Sequence, residues 1–348
     1  MNPLIRPSVQ QLTAYTPGEQ PKDSGLIKLN TNENPYPPSP AVARALREFQ
    51  LETLRLYPDP ISRSLRERIA ALHDVSPEQV FVGNGSDEVL RLAIRAFTRS
   101  GGAIAAFDPT YSLYPVLAAA EDVGYRSVPL PDDFGWADPP ADLDASLFCL
   151  ANPNAPTGVL YPLDTVEDFC ARFPGVVLLD EAYVDFAADY DAVPLARERP
   201  NVILCRTLSK SFSLAGLRVG YAIGPVDLIG ALDKLKDSYN MNALAQALAL
   251  AALGDIDWMR ANARRIVATR ERVAAELTRR AYRVVPSAAN FLFIQPPDDL
   301  TAADLFARLR QRHILVRYFP APRTQNHLRV SIGTDSDMDA FLAAIQHQ

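Results

Sequence analysis

Between residues 103 and 223, apolar segments with the length of β-strands alternate with segments of helical periodicity. The strand-like segments are 103–107, 126–130, 146–151, 176–180, 202–206 and 218–223, and the helices between them include 110–123 and 162–173. Apolar strands that alternate with helices form a mostly parallel sheet with both faces covered. We therefore predict an α/β fold whose large domain is a mostly parallel sheet sandwiched by helices.

A second, smaller domain is expected because the chain has 348 residues, which exceeds what one compact domain usually holds. Long helical segments at 225–253 and 257–280 are followed by short, mixed segments, which predict a small α+β domain. The first 28 residues are rich in proline and polar residues, and we expect an arm that lies on the body of the protein or on a partner subunit. The predicted boundaries are 1–40 for the arm and part of the small domain, 41–253 for the large domain, and 254–348 for the small domain.

Composition excludes several classes of function. The net charge is −6 without a basic run, so nucleic acid and anionic membranes are poor partners. No apolar stretch reaches the ~20 residues that span a bilayer, and the first residues lack the apolar core of a signal peptide. Cys149, Cys170 and Cys205 are odd in number and lack metal-ligand spacing, which predicts buried thiols, a cytoplasmic location and no metal site.

Lys210 lies in a segment of small and hydroxyl residues, Arg206–Arg218 (RTLSKSFSLAGLR). Only five of the 35 lysine and arginine residues are lysines, and none occurs between positions 28 and 210. A lysine amine can lose its proton and react with a carbonyl group, whereas arginine stays charged. Arg218 follows a glycine-containing loop, which suits a cation near a phosphate. Taken alone, the segment also fits a loop with a solvated lysine.

A second candidate element is the segment Val80–Leu90 (VFVGNGSDEVL). It passes from an apolar strand through two glycines to Ser86 and Asp87 and then into an amphipathic helix. The free N–H groups at a helix N-terminus bind anions, and glycines allow a ligand to approach closely. Ser and Asp are also ordinary helix N-caps, so the pattern alone is compatible with either interpretation.

Polar residues follow four of the predicted strands. The segments are Asp108–Tyr111, Asn152–Gly158, Asp180–Tyr183 and Thr207–Lys210. Sheets of this type bind ligands at the carboxyl ends of their strands. Four polar strand ends on one edge therefore indicate a site.

A lysine that reacts with carbonyls and an aspartate at a neighbouring strand end suit pyridoxal 5′-phosphate. In its enzymes the lysine forms a Schiff base with the cofactor and an acidic residue pairs with the pyridine nitrogen. Lys210 and Asp180 would take these parts, Tyr111 would stack on the ring and Tyr183 would bond the phenolic oxygen. The phosphate would bind the helix N-terminus at Ser86 and Asp87, a hydroxyl of Thr207 or Ser209, and Arg218. Individually, the tyrosines also fit a packing role and the acidic pair a helix cap.

These motifs resemble the aspartate-aminotransferase-like, fold-type I pyridoxal phosphate enzymes and, within them, the histidinol-phosphate aminotransferases. The resemblance covers nearly the whole chain. It rests on Leu29–Tyr36 (LNTNENPY), Arg55–Pro58 (RLYP), Gly83–Glu88 (GNGSDE), Pro109–Tyr111 (PTY), Asn152–Gly158 (NPNAPTG), Asp180–Tyr183 (DEAY), Arg206–Arg218 and Leu328–Gly333 (LRVSIG).

The resemblance implies a transaminase in histidine biosynthesis. It would move the amino group of L-histidinol phosphate to 2-oxoglutarate, giving 3-(imidazol-4-yl)-2-oxopropyl phosphate and L-glutamate. Lys210 would carry the cofactor and act as the general base, Asp180 would pair with the ring nitrogen and Arg218 would bind the phosphate. Tyr57 would reach that phosphate from a neighbouring subunit, which implies a homodimer with shared active sites.

The resemblance also implies the substrate pocket. Arg317 and Arg329 would face the acidic group of the substrate, and Tyr15 of the arm would close over it. From its place in an asparagine- and proline-rich turn, Asn32 is expected either at the mouth of this pocket or in turn chemistry alone.

One position departs from the family. The family commonly has asparagine directly before Pro-Thr-Gly, bonding the phenolic oxygen of the cofactor, and here that residue is Ala155. Asn154, Asn152 or Tyr183 would replace it. Alternative functions are an aromatic amino acid aminotransferase, a pyridoxal phosphate decarboxylase for a phosphorylated amino acid, and a non-catalytic effector-binding module.

Overall fold

The computed structural model describes residues 2–21 and 25–346 of the chain. The helices are α1 Pro7–Gln11, α2 Pro40–Glu48, α3 Arg63–His73, α4 Ser86–Phe97, α5 Leu113–Ala120, α6 Leu163–Arg172, α7 Val193–Glu198, α8 Val226–Leu235, α9 Ala243–Leu253, α10 Ile256–Arg279, α11 Ala302–Gln311 and α12 Asp335–Ala344. The strands are β1 Ile27–Lys28, β2 Val80–Gly83, β3 Ala103–Asp108, β4 Gly124–Pro129, β5 Leu147–Ala151, β6 Val176–Asp180, β7 Val202–Thr207, β8 Gly220–Ile223, β9 Arg283–Val285, β10 Phe291–Gln295, β11 Ile314–Leu315, β12 Arg317–Tyr318 and β13 Leu328–Ser331.

The largest sheet has seven strands in the order β2-β8-β7-β6-β5-β3-β4. Only β8 runs antiparallel to its neighbours, β2 and β7, and the other pairs are parallel. The α/β fold predicted from the alternating pattern is confirmed. Each predicted strand is present to within two residues at either end.

Both faces of this sheet are buried, as expected for a parallel sheet covered by helices. Along β5, Leu147 and Cys149 pack into one hydrophobic cluster and Phe148 and Leu150 pack into the other. Successive side chains of a strand point to opposite faces, and burial of each large apolar one contributes about 1.5–3 kcal/mol. The continuous apolar run therefore holds the strand ends, and the polar residues that follow them, in fixed positions.

A second sheet of four antiparallel strands, in the order β12-β13-β10-β9, lies in the last part of the sequence. The short strand β1 pairs with β11 in parallel, so residues near the start of the chain are bonded to residues near its end. The division into domains at residues 40 and 253 stays a prediction.

The helical segment predicted over 225–253 consists of two helices, α8 and α9, with a break between them. Asn242 ends the break as the N-cap of α9, and its side chain accepts a hydrogen bond from the Ala245 N–H. Asn240 lies in the break and its amide donates to the Val82 carbonyl. None of the helices in the described residues is both long and apolar enough to cross a membrane.

Candidate active site

Most of the predicted site residues line one cavity of about 800 Å³ at the carboxyl ends of the parallel strands. This is where sheets of this topology bind their ligands. The predicted residues in its lining are Tyr15, Asn32, Ser86, Asp87, Tyr111, Asp180, Tyr183, Thr207, Ser209, Lys210, Arg218, Arg317 and Arg329. The first eleven come from the arm, the turn after β1 and the large sheet, and the two last arginines come from β12 and β13.

Lys210 lies in the loop that follows β7. Its Nζ donates a hydrogen bond to the Thr31 carbonyl at 3.2 Å and lies 5.8 Å from the centre of the Tyr183 ring. Burial lowers the pKa of Lys210 to about 8, and the cationic side chains of Arg329 and Arg218 act in the same direction. An amine with this pKa is partly neutral near pH 7, so it can act as a nucleophile and as a base.

Asp180 ends β6, and its carboxylate is buried. The Tyr114 hydroxyl donates to Oδ2 at 2.7 Å, and the Ala182 N–H donates to Oδ1 at 3.3 Å. Burial raises the pKa of Asp180 to about 6, although these hydrogen bonds act in the opposite direction. Within the described residues, no arginine, lysine or histidine forms an ion pair with this carboxylate. A buried carboxylate of this kind favours a ligand that brings a protonated nitrogen.

The N-terminus of α4 forms one corner of the cavity. Gly85 precedes the helix with a φ of 86°, and a Cβ at this position would lie only 2.6 Å from Nη2 of Arg218. Arg218 donates to Asp87 Oδ2 at 3.1 Å and to Ser209 Oγ at 3.4 Å. Together with the free N–H groups of the first helical turn at Ser86, these groups suit a phosphate.

The arm contacts helix α5 and reaches the cavity. Tyr15 contacts Tyr111 edge to face, with 6.2 Å between the ring centres, and the Tyr111 hydroxyl lies 3.4 Å from Asp87 Oδ1. Nearer the start of the arm, Arg6 donates to the Ala120 carbonyl at the end of α5 at 2.9 Å. The arm therefore places Tyr15 beside the residues that follow β3.

Asn32 and Tyr183 meet across the cavity wall. The Asn32 Nδ2 donates to the Tyr183 hydroxyl at 2.9 Å. Asn32 is buried with a φ of 57°, and its own N–H and Oδ1 both bond to the Ser331 hydroxyl at 2.8 Å. The Asn290 side chain donates to its carbonyl at 2.9 Å. These contacts fix Asn32 between the small sheet and the loop after β6.

Arg329 lies on β13 with its side chain half-buried against aromatic rings. Its Nη2 donates to the Asn30 carbonyl at 3.1 Å, and its Cζ lies 5.4 Å from the centre of the Phe319 ring. Its Nε is buried and has no hydrogen-bond partner among the described residues. Burial lowers the pKa of Arg329. Arg329 is thus a cation that has unused hydrogen-bonding capacity beside the cavity.

Arg317 lies on β12 and contacts the arm. It donates to the backbone carbonyls of Thr16 at 2.9 Å and Pro17 at 3.3 Å. Two residues further along the arm, Glu19 pairs with Arg310 of α11 at 2.8 Å. The guanidinium that the family resemblance assigns to the substrate is therefore bonded to the arm in this structure.

Two predicted residues are not part of the cavity lining. Asn154 is buried, and its amide accepts from the Thr110 hydroxyl and donates to the Thr157 hydroxyl, both at 2.9 Å. Tyr57 is 80% exposed and stacks on Tyr239 with 4.4 Å between the ring centres. Neither side chain contacts the cavity within the part of the chain that the structure describes.

Sequence reasoning missed two residues of the site. Tyr114 holds Asp180 from the first turn of α5, where a tyrosine among apolar residues predicts a core position and no signal marks a second role. Arg323 lines the cavity with its Nε 3.9 Å from Asp108 Oδ2. It lies in an irregular loop between β12 and β13, where no periodic pattern marks it.

Comparison with known proteins places the chain in a family. The model of the family described as aminotransferase class I and II matches residues 24–345. The chain belongs to this family. Among curated members, it is 47% identical to histidinol-phosphate aminotransferase 1 of Burkholderia pseudomallei, over 97% of this chain and 96% of that protein. It is 46% identical to histidinol-phosphate aminotransferase of Chromohalobacter salexigens, over 99% of both chains.

Solved structures of the family have the same fold. One is histidinol-phosphate aminotransferase from Sinorhizobium meliloti in complex with pyridoxal-5′-phosphate, with a TM-score of 0.88 and 26% identity over 99% of this chain and 97% of that chain. Another is an aspartate aminotransferase variant from Thermus thermophilus, with a TM-score of 0.81 and 20% identity over 98% of this chain and 99% of that chain. The second likeness concerns the fold alone.

The cavity of this class I and II aminotransferase fits pyridoxal phosphate group by group. Lys210 offers a partly neutral amine to an aldehyde. Asp180 offers a pyridine nitrogen a buried carboxylate that forms no ion pair with any described residue. The N-terminus of α4, Ser209 and Arg218 offer N–H and hydroxyl donors to a phosphate. These are the contacts that the cofactor needs from its protein.

Proposed function

We propose that the protein is a pyridoxal phosphate-dependent transaminase that converts L-histidinol phosphate and 2-oxoglutarate into 3-(imidazol-4-yl)-2-oxopropyl phosphate and L-glutamate. The observation that carries the reaction type is the presence of Lys210 and Asp180 in one cavity beside the N-terminus of α4. The identity of the substrate is supported by the curated relatives. They are histidinol-phosphate aminotransferases, and the match to this chain covers almost their whole length.

Lys210 is proposed as the residue that holds the cofactor and moves the proton. Bound pyridoxal phosphate supplies an electron-accepting ring that makes the Cα–H bond of an amino substrate acidic. The Lys210 Nζ would take the proton from Cα as a general base and would later give a proton back as a general acid. Its pKa of about 8 keeps part of the amine neutral at physiological pH, which this role requires.

Asp180 is proposed to hold a proton on the ring nitrogen of the cofactor. With a pKa of about 6 in the protein alone, Asp180 is mostly ionised at pH 7, so its negative charge is available to a protonated nitrogen. Tyr114 would keep the carboxylate oriented through its 2.7 Å hydrogen bond. Tyr111 would lie on the ring, as predicted from its position after β3.

The phosphate of the cofactor is proposed to bind at the N-terminus of α4. Arg218 would contribute charge and paired N–H donors, and Ser86, Asp87 and Ser209 would frame the group. The Thr207 hydroxyl donates to Ser209 Oγ at 2.9 Å, which orients the serine toward this corner.

The acidic group of the substrate is proposed to bind Arg329, with Arg317 and Tyr15 around it. Arg329 has a buried Nε without a partner among the described residues, so an incoming phosphate or carboxylate can fill a hydrogen bond that the protein leaves open. Arg317 would also bind this acidic group once its hydrogen bonds to the arm are replaced by hydrogen bonds to the substrate.

We also propose a homodimer in which Tyr57 of each subunit reaches the cofactor phosphate of the other. In its support, Leu51, Leu54, Leu56 and Tyr57 are all more than half exposed within seven residues of sequence. Such a group of apolar side chains indicates an interaction surface. A cytoplasmic location is proposed as well, supported by the free, buried thiols of Cys149, Cys170 and Cys205.

The deciding experiment is a half-reaction with the purified, cofactor-loaded protein. L-Histidinol phosphate is added without a keto acid, and the absorbance of the bound cofactor is followed. We expect stoichiometric conversion to the pyridoxamine form, much faster than with phenylalanine or tyrosine. Conversion by the aromatic amino acids alone would mean that the substrate is an aromatic amino acid. Release of CO₂ from a phosphorylated amino acid would mean that the reaction is a decarboxylation.

Lys210→Ala is expected to abolish this conversion, because no other lysine of residues 2–21 and 25–346 lines the cavity. Lys234→Ala, on the outer helix α8, is the matched lysine control and should react like the unmodified protein. A Lys210→Ala variant with normal turnover would overturn the assignment. Loss of activity in both variants would point to a general defect in folding.

A further inference from the structure

The residue before Pro156 carries no side-chain amide, and neighbouring amides do not replace it. Ala155 lines the cavity, whereas the amides of Asn152 and Asn154, the two asparagines that precede it, are bonded elsewhere. Asn152 donates to the Tyr190 hydroxyl at 2.8 Å and accepts from the Tyr161 N–H at 2.8 Å. Asn154 is held by threonine hydroxyls, as described above. The segment Asn152–Ala155 therefore offers the cavity no amide donor.

The Tyr183 hydroxyl is the polar group that remains in this part of the wall, and Asn32 controls its direction. A phenol has one proton to donate and can accept a hydrogen bond as well. Because the Asn32 amide donates to the Tyr183 oxygen at 2.9 Å, the proton of Tyr183 must point elsewhere. In the part of the chain that the structure describes, this hydroxyl has no other protein partner, and its ring lines the cavity.

The orientation of the Asn32 amide is itself fixed. The Ser331 hydroxyl donates to its Oδ1 at 2.8 Å and accepts from its backbone N–H at 2.8 Å, so the amide nitrogen is turned toward Tyr183. A hydrogen bond accepted by a phenol also makes it a stronger donor, since chains of hydrogen bonds polarise one another. Asn32 therefore both directs the Tyr183 proton and strengthens its donation.

We propose that Asn32 is a positioning residue, not a substrate ligand, and that the Ser331–Asn32–Tyr183 chain supplies the donor to the phenolic oxygen of the cofactor that Ala155 lacks. The proposal rests on the function proposed above. It assigns Asn32, expected at the mouth of the substrate pocket, to a different partner and a different task.

The proposal predicts a spectroscopic change. A donor on the phenolic oxygen withdraws electron density and makes the Lys210 nitrogen bound beside it less basic. Loss of the donor should therefore raise the pH midpoint at which the absorbance of the loaded protein changes. We expect a rise of about 0.5 pH unit for Asn32→Gly and about 1 pH unit for Tyr183→Phe, the size of one ordinary hydrogen bond. Glycine is chosen because the φ of 57° at this position suits it without strain.

The double variant distinguishes positioning from a direct contact. If Asn32 acts through Tyr183, Asn32→Gly combined with Tyr183→Phe should have the same midpoint as Tyr183→Phe alone. Additive shifts, or no shift in Asn32→Gly, would overturn the proposal. Ser331→Ala, which changes no residue of the cavity lining, should raise the midpoint by a smaller amount, and an unchanged midpoint there counts against the chain.

Asn30→Ala is the matched control. Asn30 also lines the cavity, but its amide donates to the Glu19 carbonyl at 2.9 Å and not to Tyr183, so we expect no shift. Affinity for pyridoxamine phosphate, measured by calorimetry, gives a second readout that needs no turnover, and Asn32→Gly should weaken it about threefold. If the unmodified protein binds neither pyridoxal phosphate nor pyridoxamine phosphate, the proposed function fails and not this inference alone.

Discussion

Asp180 and Glu181 are consecutive buried carboxylates, and the protein treats them in opposite ways. Glu181 Oε2 lies 2.8 Å from Nε and from Nη2 of Arg206, whose side chain is itself largely buried. Asp180, on the other face of the sheet, has hydrogen bonds from Tyr114 and Ala182 but no cation within the described residues. One carboxylate is neutralised by the fold, and the other is left for a ligand.

The difference separates a structural charge from a functional one. Although burial alone would lower it, the Glu181 carboxylate raises the pKa of Arg206, which keeps the guanidinium charged. Burial raises the pKa of both carboxylates, of Asp180 to about 6 and of Glu181 to about 7; Arg206 opposes this shift at Glu181, whereas hydrogen bonds from Tyr114 and Ala182 are the main opposing contacts at Asp180. A group that the fold leaves unfavourable by itself is typical of a site that a ligand completes.

Of the changes to these two carboxylates and their partners, Asp180→Asn should have the largest effect: it should lower kcat about a thousandfold because it removes the charge that holds the ring nitrogen protonated. The same change should stabilise the cofactor-free protein by up to about 3 kcal/mol at pH 7.5. The folded pKa of about 6 exceeds the ordinary 3.8, so ionisation disfavours folding, fully above pH 6 and not at all below pH 3.8. Urea unfolding of the cofactor-free form at several pH values measures this, and a less stable variant would contradict it.

Glu181→Gln should have the opposite effects: it should lower the stability of the protein and leave kcat nearly unchanged. It leaves the Arg206 cation buried without its partner, which costs about 3 kcal/mol of unfolding free energy, while kcat of the folded protein changes little. The matched control is Glu167→Gln, whose partner Arg199 lies 2.9 Å away in a pair that is 35% and 46% exposed. That surface pair should contribute less than about 1 kcal/mol. Equal losses in the two variants would remove the distinction between buried and exposed pairs.

Tyr114→Phe sharpens the comparison because it removes the strongest hydrogen bond to Asp180 and leaves the carboxylate. We expect kcat to fall about tenfold, the effect of one hydrogen bond to a charged group. Tyr161→Phe serves as the control, since its buried hydroxyl has no partner among the described residues. If both phenylalanine variants have the same kcat, Tyr114 does not orient Asp180.

The smallest expected effect of a substitution is on the pH dependence of the reaction between Lys210 and pyridoxal phosphate. The neutral amine of Lys210 is the reactive form, so the rate of this reaction should rise about tenfold per pH unit and level off above the pKa of about 8. Asp180 is not among the principal groups that act on this pKa, and Asp180→Asn should move the midpoint by less than about 0.5 unit. A larger shift, seen in stopped-flow absorbance, would mean that the two groups are electrostatically coupled in the cofactor-free protein.

The residues at strand ends could be predicted from the sequence because a parallel sheet brings its carboxyl ends to one edge. Asp180, Lys210 and Tyr111 were identified in this way, and the cavity contains all three. Tyr114 was not identified, because a single tyrosine in an apolar helix is typical of a core residue. Only the contact with Asp180 shows its second role. The hydrogen bond between Asn32 and Tyr183 joins residues 151 positions apart, and no local sequence pattern predicts a contact between residues so far apart.

The contacts of the arm have a thermodynamic consequence for ligand affinity. Arg317 is bonded to the arm carbonyls of Thr16 and Pro17, and an anion that takes the same N–H donors must displace them. Arm docking and anion binding then compete for one set of donors, so each weakens the other by the same free energy. Shortening the arm would tighten the intrinsic grip of Arg317 on a small anion while it removes the Tyr15 side chain that covers a large one. Substrate size would thus decide whether the arm helps or hinders binding.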